Sequence, residues 1–99
     1  MTKAKFYRKS GANGVTIEGH QEDERKGSGI YCAAISAMGS ALVNGLRGES
    51  LAVEPTVRVE DGEMVITCMR TPRTDAMFDL TERGLRAMAA KWPDRVRVE

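Results

Sequence analysis

Thr56-Val57-Arg58-Val59-Glu60-Asp61-Gly62-Glu63-Met64-Val65-Ile66-Thr67-Cys68-Met69-Arg70 is the stretch on which the fold turns. Two alternating runs, Thr56 to Glu60 and Glu63 to Arg70, flank a two-residue Asp-Gly. That pattern predicts an antiparallel hairpin, because glycine accepts the positive φ that a tight turn needs. Alternation buries one face and wets the other. Cys68, inside the second run, therefore reads as a small core residue, and Glu60 and Glu63, with Glu54 just upstream, read as a solvated face.

Toward the N-terminus, Ile30 to about Leu46 predicts a helix, with an apolar stripe through Ile35, Met38, Leu42 and Leu46 and Gly48 as its stop. Gln21 to Gly29 is polar and charged and ends in small residues, as in a mobile surface loop. Before it, Phe6 to Lys9 reads as a strand, Gly11-Ala12-Asn13-Gly14 as a turn, and Val15 to Gly19 as the return strand. This leaves His20 at a strand exit.

Toward the C-terminus, Thr71-Pro72-Arg73-Thr74-Asp75 reads as a loop feeding a second helix, with Thr74 as N-cap and Asp75 set against the helix dipole. Phe78, Leu85, Met88 and Trp92 would form its core face, Pro93 its end, and Arg95 to Val98 a last strand. The order ββαββαβ predicts a single α+β domain over residues 1–99, with a mainly antiparallel sheet and both helices gathered on one face.

Composition excludes several classes. Lys plus Arg is 15 against 14 for Asp plus Glu, a net charge of +1, whereas a dedicated nucleic-acid binder carries a strongly basic face. The longest apolar stretch is broken by Ser36, Gly39 and Ser40 and falls short of the ~20 residues of a membrane span. Met1 to Phe6 has no apolar signal region, so the cytoplasm is the expected location. One histidine and two separated cysteines provide no tetrahedral ligand spacing, so neither metal nor other cofactor is expected.

One place suggests chemistry. His20 is the only histidine, and imidazole alone titrates between pH 5 and 8 without help. Twelve positions on, Cys32 follows Ser28 or Gly29, either of which can cap the predicted helix. Cys32 then lies in or near the first turn, where backbone N–H groups and the dipole favour a thiolate. His20 would take the thiol proton, and the same N–H groups would receive an oxyanion. Local physics leaves a second reading open, a core cysteine and an exposed histidine unrelated to each other.

Gly19-His20, seven residues through Gly27, Ser28-Gly29-Ile30 and Tyr31-Cys32-Ala33-Ala34-Ile35-Ser36 resemble the signature of the ribosomal-processing cysteine protease (Prp) family. That signature is a Gly-His pair, a glycine-containing loop, an apolar pair, Cys, Ala and a Ser four residues after the Cys. The resemblance implies Cys32 as nucleophile, His20 as general base, and Ser36 and Gly29 at substrate-side positions. It also implies a homodimer that removes a short N-terminal extension from a large-subunit ribosomal protein, with the loop ordering over the peptide substrate. Two positions depart from the pattern: Gly29 stands where most members have Asp, and Gln21 where they have Ala. Who steadies His20 is then open, with Asp23, Glu22, Glu18 and Asp75 as candidates. Alternatives within the resemblance are a phage-type relative that trims a capsid or assembly protein, and a non-catalytic dimeric module of the same fold.

Overall fold

The computed structural model describes residues 1–21, 29–50 and 53–99. Its elements run β1 (Thr2–Lys9), β2 (Ala12–Gly19), α1 (Ile30–Arg47), β3 (Thr56–Glu60), β4 (Glu63–Met69), α2 (Pro72–Lys91) and β5 (Val96–Val98). The strands form one sheet in the order β3-β4-β2-β1-β5. Every pairing is antiparallel except β1 with β5, which is parallel. The chain returns from α2 to lay β5 beside the first strand.

Register explains why one face is apolar. Val57, Ile66, Val15 and Phe6 lie in one cross-strand row, and Val59, Met64, Ile17, Ala4 and Val98 in the next. Side chains alternate faces along a strand, so both rows point to the side that the helices cover. Ile35, Leu42 and Leu46 of α1 and Phe78 and Leu85 of α2 close the core over them, with Cys68 buried at its edge. Lys3, Lys5, Tyr7 and Lys9 point to the other side of β1 and are exposed.

Three local expectations need correction. The first turn is Ser10-Gly11, both at positive φ (53° and 77°), and Lys9 pairs with Ala12. Asn13 and Gly14 lie in β2 for tertiary reasons. Asn13 is fully buried, accepts from Arg8 Nε at 2.8 Å and donates from Nδ2 to Asp75 Oδ1 at 2.8 Å. The Tyr7 ring lies against the bare Cα of Gly14. The cap of α2 is Thr71, not Thr74. Thr74 Oγ1 accepts from the Thr71 N–H at 2.8 Å while Thr71 Oγ1 accepts from the Thr74 N–H at 3.1 Å, a reciprocal capping box with Pro72 as the first helical residue. The third correction is Gln21. It is buried, 3% exposed, and does not belong to a surface loop. The rest of that predicted loop, residues 22–28, lies outside the described residues.

Candidate active site

Gly19 ends β2 at φ +108° and hands its N–H to Gly62 O at 2.9 Å, so the strand exit is tied to the β3–β4 turn. His20 follows, exposed, with its carbonyl accepting from the Met1 ammonium at 2.7 Å. The imidazole packs on the turn: a β-carbon on Gly62 would collide with Nε2 and Cε1 of His20. Gly62 also takes φ +76°, so two independent constraints select glycine there.

Helix α1 begins as the sequence predicts. Gly29 is its N-cap in extended conformation, without a side-chain cap, and Ser28, the other candidate, lies outside the described residues. The first helical hydrogen bond runs from Ala33 N to Gly29 O at 3.0 Å. Ile30, Tyr31 and Cys32 therefore present their N–H groups ahead of the helix's own ladder. No acidic residue occupies the first turn, so the positive dipole end is not offset from within it. Cys32 is half-buried and Ser36, one turn on, is exposed.

These two ends meet across a cavity of about 640 Å³. His20, Cys32, Gly29 and Ser36 all line it, together with the β3–β4 turn. Its floor is apolar, from Ile17, Ile35, Val59 and Met64. Val59 lies in the core-facing row yet is 64% exposed, on β3 at the edge of the sheet.

The other cysteine behaves differently. Burial pushes the Cys68 thiol up from its ordinary value, which keeps it protonated and unreactive. No disulfide joins it to Cys32. Asp75 is removed from the candidates for steadying His20. It sits beside Asn13 at the opposite end of β2, roughly 20 Å along the strand, where it holds Arg70 in two hydrogen bonds of 3.1 and 2.9 Å. Glu22 and Asp23 lie outside the described residues. Sequence reasoning missed Gly62 and Gln21 as neighbours of the histidine. The Asp-Gly signal announces a turn but not which side chain rests on it, and a glutamine in a polar run carries no mark of burial.

The family model of cysteine protease Prp matches residues 1–97. The chain belongs to the Prp cysteine protease family. As a member of the Prp family it is a cysteine protease, and solved structures agree on the fold. The Prp protease of S. aureus in complex with a covalently linked product peptide is 19% identical, with a TM-score of 0.85 over 100% of this chain and 98% of that one. The same Prp with a substrate peptide gives a TM-score of 0.74 at 17% identity, over 100% and 98% of the two chains. SMU.848 from Streptococcus mutans gives 0.69 at 25% identity, over 100% and 92%. No curated protein matches the sequence. Among the described residues no group of His, Cys, Asp and Glu could hold a metal ion, and no helix is long and apolar enough to cross a membrane.

Proposed function

We propose that the protein is a cysteine endopeptidase in which Cys32 is the nucleophile and His20 the general base. The observation that carries this reading is the shared cavity: the only histidine and a helix-head cysteine line it from opposite elements. His20 takes the Cys32 thiol proton, and the thiolate attacks the scissile carbonyl carbon to form a C–S bond. The carbonyl electron pair moves to oxygen, and the N–H groups at the head of α1 receive that oxyanion. Collapse breaks the C–N bond, and His20 returns the proton to the leaving amine. Water, deprotonated by His20, then attacks the thioester and releases the new carboxylate, restoring the thiol.

The substrate is a short extended peptide segment. The apolar floor suits an apolar side chain beside the scissile bond, while Ser36 and Gly29 border the peptide from the α1 side. The S. aureus relative is a ribosomal-processing protease; taken with the family resemblance of residues 19–36, this makes the segment the N-terminal extension of a large-subunit ribosomal protein, cleaved in the cytoplasm. The working unit is a homodimer.

Incubation of the protein with peptides spanning such an extension, scored by mass spectrometry for wild type, Cys32→Ala and His20→Ala, tests the reading. Cleavage by wild type alone is expected. Equal cleavage by all three would overturn it.

A further inference from the structure

Gln21 follows the histidine directly, and its side chain is fixed from two sides. Nε2 donates to Thr2 Oγ1 at 3.0 Å and to Arg95 O at 2.8 Å. Arg95 O also accepts from the Thr2 N–H at 2.9 Å. An amide that is 3% exposed and bonded twice resists displacement, because moving it leaves buried polar groups without partners.

The same Trp92–Arg95 turn reaches Tyr31, the residue before the cysteine. The Arg95 guanidinium lies over the Tyr31 ring, 4.5 Å from its centroid. Tyr31 meets Trp92 edge to face at 5.4 Å. Arg95 N and Val96 N both donate to Trp92 O, at 2.9 and 3.1 Å, so the turn is closed on itself. One rigid turn thus holds the residue after His20 and the residue before Cys32.

We propose that Gln21 is a positioning residue: bonded to Thr2 and to the Trp92–Arg95 turn, it sets His20 against Cys32. This rests on the assignment of His20 as general base. It answers, within the chain's own residues, what steadies the histidine where Gly29 replaces the family's Asp. Gln21 acts from the backbone side and Gly62 from the ring side, which together limit where the imidazole can go.

The test compares wild type, Gln21→Met, Thr2→Val, Thr2→Ser and His20→Ala by kcat, KM and the pH dependence of kcat/KM on one cleaved peptide, with thermal melts alongside. Methionine keeps the volume of Gln21 and removes both donated bonds. Misplacement of a catalytic group by about 1 Å costs up to roughly 100-fold, so Gln21→Met is expected to lower kcat by roughly 10- to 100-fold with KM little changed. Its pH profile of kcat/KM should be displaced from that of wild type, which a purely structural role would leave in place. Thr2→Val should fall between Gln21→Met and wild type, and Thr2→Ser should restore turnover, which keeps the test decisive if Gln21→Met does not fold. Loss of turnover in His20→Ala with an unchanged pH profile in Gln21→Met, or in Thr2→Val where Gln21→Met is unfolded, would overturn the positioning role alone. Wild-type turnover in His20→Ala would overturn the general-base assignment and the positioning role with it.

Discussion

A β-carbon at position 62 would occupy space held by the His20 ring and would have to do so at φ +76°. Gly62→Ala is therefore expected to cost about 1 kcal/mol of stability from the left-handed backbone. It should also lower turnover, roughly 10- to 100-fold, because the imidazole must move. A thermal melt and a turnover assay on the same preparation separate the two effects, and unchanged turnover would show that the ring does not need its seat. Cys32 and Cys68 divide in the same way. Burial holds the Cys68 thiol up, so iodoacetamide on the folded protein should label Cys32 and leave Cys68 unmodified until denaturant is added. At this scale the sequence was partly legible. His20 and Cys32 stand out as residue types with a family spacing, whereas Gln21 and Gly62 acquire their roles only from contacts with Arg95, Thr2 and the histidine ring.

At the scale of elements, periodicity was a reliable guide wherever local and tertiary demands coincide. Helix α1 was readable from Ile30 onward, and the β3–β4 hairpin was readable to its turn, because apolar spacing and Asp-Gly chemistry both serve the core. The first turn lies at Ser10-Gly11 and not over residues 11–14, because Asn13 and Gly14 are turn-forming types used for tertiary purposes, one for Asp75 and one for the Tyr7 ring. Helix α2 begins three residues before the position that a Thr74 cap predicts. Thr71-Pro72-Arg73-Thr74 offers two threonines as caps, and the signal that separates them is Pro72, which favours the first helical position. Replacing Thr71 with Ala should lower stability by about 1 kcal/mol. Urea unfolding would show this as a shifted midpoint, and turnover should be unaffected because α2's N-terminus lies at the end of the sheet away from His20.

For the whole molecule, that far end is held by charge. Hydrogen bonds from Arg70 and then from Asn13 hold the Asp75 carboxyl at about 2, below the usual carboxylate range. Arg8 bridges the same corner to Asp79 at 2.6 Å. Since the folded value lies below the unfolded one, near 3.9, the stabilising contribution is complete above that value and is lost as pH falls toward 2. Acid titration of unfolding should therefore show a loss across this window that is reduced in Asp75→Asn. An unchanged profile in that variant would contradict the coupling of β2, β4 and α2 through Asp75. Association belongs to this scale as well. Ile30 and Leu80 are 73% and 71% exposed, and a 10.9 kDa chain buries limited apolar surface alone. Light scattering is expected to give twice the chain mass, and a monomer at assay concentration would contradict the homodimer.

Everything proposed for this site depends on the pairing of Cys32 with His20, and the rate of Cys32 alkylation by iodoacetamide at neutral pH, compared between wild type and His20→Ala, tests that pairing. Wild type is predicted to react at least roughly tenfold faster, because the imidazole takes the thiol proton as the sulfur attacks. Equal rates in the two proteins would contradict it.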